Sequence, residues 1–483
     1  MIRIYEPDVQ VWLHKTIQRK TTNGKDAVSQ RFQGCAQDQK IDLRPYLGEG
    51  SGVQTSKGVR DPAGGFQLVL VDKPDGTPMS FESLYGLIEP MDLIEIRARH
   101  GVPDDPSQAP ILMRGFVSNV SRQEGIDGDG RPQRRVVVAG QDYGKVWQIL
   151  QISYHAGYLV GQDFISGFGL FEQFGVEAKT VQSSKEFFES IVNKIINPFL
   201  DRMLPSNTPM PRSVQADSWV SKGTVSPAIQ TQQGSMYELL RYFGDVGPWN
   251  ELFIEDREDG VYAVYRPNPY MDATSGELIQ DDAPTPIYVD VPDVDVITMG
   301  VSRADFDVAN YYWVQSPRFN LVNQAYQKQE ASASGDKTVV LGDYPNSSAN
   351  LYGIRLMSLE TQQGATTSTT QNTGAKAAQV QEGQQTEVEW MADRRRIVSD
   401  SNKDNVLFER GSMRLRGNEE LKPGRYLRLQ RGDFTAVYYI VSVDHEYQPY
   451  YGFFTTVQLE RGTGFIERIR SERSPYMAEL TNL

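Results

Sequence analysis

Short runs in which apolar and polar residues alternate, the spacing expected of β-strands, recur through the first 140 residues of the chain. They lie at residues 9–13, 39–43, 66–71 and 93–97. Two further runs, 111–120 and 135–139, flank a Gly- and Asp-rich tip and predict a hairpin. Strands this frequent, with no long helix between them, indicate a small antiparallel barrel or sandwich.

The spacing of apolar residues changes to that of helices after residue 144. Ser-x-x-Glu motifs beginning at Ser183 and Ser235 predict two helices that each start with a capping box. Pro198 is predicted to end the first of them, because a proline inside a helix removes a hydrogen bond. We therefore expect a helix-containing insertion at 146–245.

Strand patterns return from residue 252, with a hairpin predicted around the Asp-Gly pair at 259–260. They continue at 294–299 and 311–314 and end in a last β region at 413–461. This part of the chain is therefore also expected to be mainly β.

The composition changes sharply between residues 361 and 385, where almost every residue is Gln, Thr, Ser, Gly or Ala. Such a segment buries too little apolar surface to offset the entropy lost on ordering it. We predict a mobile loop at 361–385, followed by a helix near 387–397.

Three elements of the first β region recur in the same order in the last one. A proline-led turn with an alternating strand, a valine-rich strand, and a strand that ends at glycine occupy residues 90–97, 115–120 and 136–140, and again 423–430, 439–443 and 456–462. Alternation alone produces such likeness between any two antiparallel β domains, but the shared order favours a duplication.

These patterns predict a mainly β protein with α+β insertions, in which two similar antiparallel β-barrel modules accompany a helix-containing domain. The expected order is a first, tube-like β-barrel domain at 1–145, the helix-containing insertion at 146–245, a β-hairpin-rich segment at 246–290, the first strands of a second barrel at 291–320, an insertion with the low-complexity loop and helix at 321–395, the remainder of the second β-barrel at 396–470, and a C-terminal tail at 471–483.

Composition adds limits on function. The formal net charge of −13 is opposite in sign to the surface of a nucleic-acid binder, although solubility alone also explains an acidic excess. No apolar run approaches the roughly 18 residues that span a bilayer, and the N-terminus lacks a signal-peptide pattern. The single Cys35 forms no internal disulfide, so a reducing cytoplasm suits the chain.

Motifs for catalysis are missing from the sequence. It contains no Gly-x-Ser-x-Gly, no His-Glu-x-x-His and no phosphate-binding Gly-x-x-x-x-Gly-Lys motif, and His14, His100, His155 and His445 are scattered. A Ser/His/Asp triad assembled only in space stays open. We expect no catalytic, cofactor-binding or metal-ligating residues, and no cofactor.

Two acidic features have a functional and a plain interpretation. The DGDG run at 127–130 suggests a calcium loop, but Arg131 occupies the next ligand position, which favours a hairpin tip. The acidic pairs 281–282 and Asp293 with Asp295 could serve a glycosidase, and solvated loop charge is the simpler interpretation.

Basic and aromatic clusters are equally ambiguous. The arginines at 394–396 are expected to form a solvated or interface-pairing face rather than a phosphate site. Aromatic clusters could contact carbohydrate or another subunit, or simply pack in the core. These are 311–313 and the group Tyr447, Tyr450, Tyr451, Phe453 and Phe454.

The order of four stretches resembles the central baseplate hub protein of tailed bacteriophages, which joins the tail tube to the central spike. The stretches are MRGFV at 113–117 running to AGQDYG at 139–144, GSMYELL at 234–240, PWNEL at 248–252 running to YRPNP at 265–269, and LKPGRY at 421–426. The resemblance implies two similar β-barrels per chain, with the second interrupted and built from strands near 294–314 and 413–462. The first 60 residues match this pattern only loosely.

The resemblance also implies a structural, non-enzymatic virion protein of the tail baseplate, assembled in the host cytoplasm. A homotrimer would present six similar modules to the six-fold tail tube or tube-initiator proteins above and a three-fold surface to the spike below. Other baseplate proteins would surround it. DNA would pass through the lumen without specific binding during genome ejection.

Two other functions stay open. A tail-associated peptidoglycan hydrolase would need two carboxylates that face each other across a cleft. A carbohydrate- or cell-surface-binding β-protein would be a monomer or carry an open aromatic cleft.

Overall fold

The computed structural model of the chain describes residues 6–15, 40–73, 83–101, 108–126, 130, 132–155, 158–160, 182–204, 208–225, 234–315, 343–365 and 377–470. Within these ranges thirteen strands join in one continuous sheet, and four smaller sheets of two or three strands accompany it. The prediction of a mainly β protein with helical insertions is confirmed.

Seven strands form the N-terminal part of the large sheet. The elements are β1 Glu6–His14, β2 Lys40–Asp42, a 3₁₀ turn Arg44–Tyr46, β3 Gly52–Gly58, β4 Gly65–Val71, α1 Leu84–Leu87, β5 Leu93–Gly101, β6 Ile111–Ile126, β7 Pro132–Asp142 and α2 Gly144–Ile149. Neighbouring strands pair antiparallel in the order β3-β4-β7-β6-β5-β1-β2. Alternate apolar residues such as Leu68, Leu70 and Val136 point to one side and are fully buried there.

A helix-containing region follows. Its elements are β8 Gln151–His155, β9 Tyr158–Val160, β10 Gln182–Ser183, α3 Ser184–Ile191, a π-turn Val192–Ile196, α4 Asn197–Met203, β11 Val214–Ser218, β12 Thr224–Val225, β13 Gly234–Ser235, α5 Met236–Phe243, β14 Asn250–Arg257 and β15 Gly260–Pro267. Both predicted capping boxes are present, on Ser183 and Ser235. The β14–β15 hairpin forms where the Asp-Gly pair predicted it.

Pro198 does not end a helix, contrary to the prediction. The chain stays helical from α3 through the π-turn into α4, where Pro198 occupies the first turn. A proline is tolerated there, because the wider π-turn already replaces the hydrogen bond that the proline would remove. In the π-turn the N–H of Asn197 donates to the carbonyl of Val192.

The C-terminal part completes the large sheet. Its elements are β16 Tyr288–Pro292, a 3₁₀ turn Asp293–Asp295, β17 Val296–Ser302, β18 Tyr311–Gln315, α6 Ala349–Tyr352, β19 Leu356–Glu360, α7 Ala377–Asn402, β20 Glu409–Arg416, β21 Tyr426–Arg431, β22 Phe434–Gln448, β23 Gly452–Gly462 and α8 Gly464–Arg470. Antiparallel neighbours run β17-β20-β23-β22-β21, and β16 adds to β21 in parallel.

Two predictions for this part need correction. Residues 311–314 do not belong to the second sheet module, because β18 pairs with β19 in a separate two-stranded sheet. The predicted mobile loop at 361–385 is wrong where the structure describes it, since Thr361 and Gln363 are fully buried and α7 already begins at Ala377. The tail at 471–483 lies outside the described residues.

None of the helices in the described ranges has the length and apolar character that crossing a membrane requires.

Candidate assembly interface

Two parts of the large sheet share one strand order. Module 1, defined as β3 to β7, runs β3-β4-β7-β6-β5, and module 2, defined as β17 and β20 to β23, runs β17-β20-β23-β22-β21. In chain order, the five strands of module 1 correspond one to one to those of module 2, and all four pairings are antiparallel in both. The segment from β18 to α7 is inserted after the first strand of module 2.

The turns that precede β5 and β21 also have the same geometry. Met91 has a φ of 77° and Gly424 a φ of 78°, both in the left-handed region. The N–H of Met91 donates to the carbonyl of Val117 at 2.8 Å, and the N–H of Val117 donates back to the residue after Met91 at 2.8 Å. In the second turn the N–H of Gly424 donates to the carbonyl of Ile440 at 2.8 Å, and the N–H of Ile440 donates back to Arg425, the residue after Gly424, at 2.9 Å. The two turns are therefore equivalent bond by bond.

A β-bulge occupies the same place in each module. The pairing of β6 with β7 shifts register between Val117 and Asn119, and that of β22 with β23 shifts between Ile440 and Ser442. Each bulge thus directly follows the residue that bonds to the turn. A bulge bends its strand at a defined point. We therefore expect β6 and β22 to change direction in the same way beyond their bulges.

The two modules are joined within the chain by their strand edges. Beyond its bulge, β22 pairs antiparallel with β3, from Ser442 opposite Gly58 to Tyr447 opposite Val53. This junction makes one continuous sheet of the two modules.

A buried charge cluster holds the junction against the β14–β15 hairpin. The Nζ of Lys57, in β3, lies 2.6 Å from a carboxylate oxygen of Asp256 and 3.1 Å from one of Asp142. Burial alone would lower the pKa of Lys57, but the two carboxylates outweigh it and raise this pKa above its usual value. Burial raises the pKa of Asp142, against the attraction of Lys57. The cluster thus consists of one ammonium between two buried carboxylates.

The tip of the same hairpin binds the first residues of β6. Glu258 accepts hydrogen bonds from the N–H of Ile111 and from Arg97, each at 2.8 Å. Arg114 donates to the carbonyl of Arg257 at 2.8 Å. These contacts fix the hairpin on module 1.

The other end of the hairpin binds module 2. Glu251 accepts hydrogen bonds from the hydroxyl of Tyr439 and, at 3.0 Å, from Arg266. Arg266 also donates to the carbonyl of Gly424 at 2.8 Å. Burial, reinforced by Glu251, raises the pKa of Tyr439 well above 10, so its hydroxyl keeps the proton that it donates. One hairpin therefore contacts both modules.

The two acidic pairs lie in turns of the chain. Asp281 lies 3.4 Å from the Nζ of Lys222, and Asp282 accepts hydrogen bonds from Ser221. The other pair lies in the 3₁₀ turn Asp293–Asp295, which has no buried residue. These positions fit the plain interpretation of loop charge.

The three arginines at 394–396 differ from one another. Arg394 and Arg395 are buried, at 3% and 4% exposure, so a solvated face is wrong for them. Arg394 donates to Gln363 at 2.8 Å, whereas Arg396 pairs with two aspartates of its own helix. The two buried arginines therefore help to hold α7 against the rest of the fold.

The aromatic clusters divide in the same way. Tyr312 is fully buried and donates to the carbonyl of Ala309 at 2.7 Å. Phe453, in β23, is buried in the core that the strands of module 1 form. Tyr450 and Tyr451, at the turn between β22 and β23, are 88% and 79% exposed. Of the residues in these clusters, Tyr450 and Tyr451 are the exposed ones and the best candidates for an aromatic contact surface.

The histidines occupy separate environments. Burial lowers the pKa of His14 and of His445 to about 4, and it also lowers that of His100. His155 lies in β8. Among the described residues, no three His, Cys, Asp or Glu side chains form a group that could hold a metal ion. Residues 127–129 of the candidate calcium loop lie outside the described residues.

Sequence reasoning missed the residues that fix the modules together. Lys57 looks like any polar position of an alternating strand, and nothing local marks it as the partner of two buried carboxylates. Glu251 and Gly424 do lie within the PWNEL and LKPGRY stretches that carry the resemblance. The repeat aligns Pro90-Met91 with Pro423-Gly424. The glycine in this alignment was the sequence feature that could have indicated a left-handed residue at both positions.

No protein-family model matches the chain, and no curated protein matches its sequence. Solved structures that the chain resembles include a tail protein from Neisseria meningitidis, 10% identical, with 95% of this chain and 98% of that one covered at a TM-score of 0.43. The 43 kDa tail protein of prophage MuSo2 from Shewanella oneidensis is 9% identical, with coverages of 95% and 98% and a TM-score of 0.42. A prophage tail protein from Listeria monocytogenes is 9% identical, with 98% of each chain covered and a TM-score of 0.38.

These are tail proteins, the class that the sequence resembles. At such identities and TM-scores they are likenesses only, and function has to be inferred from the chain's own residues.

Proposed function

We propose that this chain is a structural, non-enzymatic hub protein of a phage tail baseplate. Three copies form a ring of six similar modules that joins a six-fold tail tube to a three-fold central spike. The chain is thus part of the virion, and its function is geometric rather than chemical.

The observation that carries the proposal is the equivalence of module 1 and module 2. They share strand order, bulge position and the turn of Met91 and Gly424. A chain with two equivalent modules that assembles as a trimer presents six similar units on one side. The unrepeated parts, such as α3 to α5 and the segment from β18 to α7, occur once per chain and supply three-fold surfaces.

The charge of the chain fits a channel for DNA. A trimer carries a formal charge of −39, three times the −13 of one chain. If part of this charge faces the lumen, repulsion of the phosphate backbone lets DNA pass without sticking. A channel wall that proves neutral or basic would contradict this point.

The experiment is a mass measurement and electron microscopy on the purified full-length protein. We expect a particle of three times the chain mass of 54.4 kDa, which appears as a ring with six similar inner lobes and three outer ones. A monomer at all concentrations, or a ring with another number of copies, would overturn the proposal.

The enzymatic alternative is tested with the same preparation. Purified protein incubated with bacterial cell walls should release no soluble fragments. Lysis that one Asp or Glu substitution abolishes would establish a hydrolase instead.

A further inference from the structure

Strands β6 and β22 correspond to each other, and both continue beyond their bulges. Beyond the bulge, the edge that faces away from β7 or β23 is paired in β22 but not, among the described residues, in β6. In module 2, one edge of β22 pairs first with β21, over Phe434 to Tyr439, and then with β3, over Ser442 to Tyr447. In module 1, the corresponding edge of β6 pairs with β5 over Ile111 to Phe116. Beyond the bulge, no described strand pairs with that edge.

The second unpaired edge is that of β17, which corresponds to β3. Within the described residues β17 pairs with β20 alone and lies at the end of the large sheet. The edge of β6 beyond its bulge and the edge of β17 therefore correspond, strand for strand, to the edges of β22 and β3 that are already joined inside the chain.

Both edges carry exposed apolar side chains. Ile126 at the end of β6 is 78% exposed, and Ile297 in β17 is 47% exposed. Long exposed strand edges with apolar residues invite pairing with another chain, and proteins normally cover or interrupt them. These two edges are therefore candidates for contact between copies.

We propose that β6 of one copy pairs antiparallel with β17 of the next copy, in the register of the β22–β3 junction. This inference rests on the proposed ring and names the contact that closes it. We replace β22 by β6 and β3 by β17 in the register of the β22–β3 junction. This places Asn119 opposite Ala304, and Ser121 opposite Ser302, of the next copy. Two residues beyond the transferred pairs, Ile126 comes level with Ile297, which lies at the register shift of β17 between Val296 and Thr298, so the two exposed isoleucines come within reach of each other.

The side chains are compatible with this register. Val120 comes to lie opposite Arg303, as Val443 lies opposite Lys57 inside the chain. The remaining pairs are Arg122 with Val301, Gln123 with Gly300 and Glu124 with Met299, so no pair sets two like charges against each other. A Cβ at Gly300 would meet nothing within 4 Å, which leaves room for the approaching strand.

The contact is head to tail, because it joins different surfaces of the two copies. Such a contact closes into a ring when its rotation fits and otherwise forms a filament. Three copies have three junctions inside chains and three between chains, and similar geometry at all six gives the ring its six-fold appearance.

Paired cysteines test the register directly. The only native cysteine is removed with C35S, and S121C with S302C then places two thiols directly opposite each other in different copies. Opposed residues in antiparallel strands lie about 4.5 to 5.5 Å apart, within reach of a disulfide. We expect mild oxidation to give covalent dimers and trimers on a non-reducing gel.

Two control variants calibrate the result. S56C with D444C joins residues that are register partners inside the chain, and should form a disulfide within a monomer. S121C with V301C is one residue out of register, so the thiols point to opposite faces of the sheet and interchain bonds should fall at least about fivefold.

The outcomes separate this inference from the proposed function. The S121C/S302C protein could be a trimer by mass and form no interchain disulfide, while the internal control forms its own disulfide. That result would overturn the proposed β6–β17 contact but not the proposed hub function. Equal yields from the matched and the shifted pair also overturn the junction. A protein that is monomeric by mass and gives no interchain disulfide removes both.

Discussion

Met91 and Gly424 have the same left-handed backbone conformation at the same point of two modules, although one is a methionine and the other a glycine. Each donates its N–H to the strand that carries the bulge. The duplicated turn therefore keeps its hydrogen bonds at both positions, and at Met91 it does so with a side chain that disfavours this conformation by about 1 kcal/mol.

Gly424→Ala should lower the free energy of unfolding by about 2 to 3 kcal/mol. About 1 kcal/mol comes from the positive φ, and the rest from the collision of the new Cβ with Arg266, which Glu251 holds in place. Gly276→Ala is the matched control, since Gly276 has a φ of 73° but nothing within 4 Å of the added Cβ. Urea denaturation of both variants should show the larger loss for Gly424→Ala, and equal losses would contradict the role of Arg266.

Lys57→Met should destabilise the protein by about 3 to 5 kcal/mol at pH 7, because it leaves Asp142 and Asp256 buried without their cation. The loss should shrink at lower pH, because burial raises the pKa of Asp142 and its protonation removes one unpaired charge. Lys185→Met is the control, since the exposed pair of Lys185 with Glu189 contributes at most about 0.5 kcal/mol. A Lys57→Met variant as stable as the wild type at pH 7 would show that the cluster does not hold the junction.

Acidification should weaken the fold between about pH 6.5 and 4 through the buried His14. Its pKa is lowered to about 4 by burial, so the unfolded chain binds a proton in this window that the folded chain excludes. The effect is at most about 3 kcal/mol, and it is complete once the pH falls below the folded pKa. His14→Phe should flatten the fall of Tm with pH relative to the wild type, while unchanged curves would locate the titration elsewhere.

Ile126→Lys or Ile297→Glu alone should weaken self-association roughly tenfold, because each places a charge against an apolar partner in the β6–β17 contact. The double variant should regain part of the affinity, since the opposed side chains then form an ion pair. Concentration-dependent mass measurements provide the test, with Ile354→Lys, another exposed isoleucine at 78%, as the control. If the loss of self-association affinity in the double variant equals the sum of the losses in the two single variants, the proposed register is contradicted.

Local features of the fold were predictable from the sequence, and long-range ones were not. The capping boxes at Ser183 and Ser235 need only residues three positions apart, so the sequence predicts them correctly. The burial of Thr361 could not be predicted, because it depends on a hydrogen bond to Asp245, far away in the chain. Composition alone therefore mistook a packed segment for a loop.

The same distinction holds for the candidate interface. The duplication was visible in the sequence because turn and strand signals are local and recur in order. The junction of β3 with β22 was not visible, since any alternating strand offers an edge of the same kind. Which edges meet is decided by packing around Lys57 and Glu251, which no local pattern reveals.

The pairing of Gly58 with Ser442 also has a consequence for synthesis. At about 5 to 20 residues per second, a ribosome needs roughly 20 to 80 s to add the residues between them. During that time β3 emerges without its neighbour, and nascent chains on one polysome present the same bare strand to each other. Slow or crowded translation should therefore favour entanglement between nascent chains, and a host chaperone that shields β3 would raise the yield of correctly joined protein.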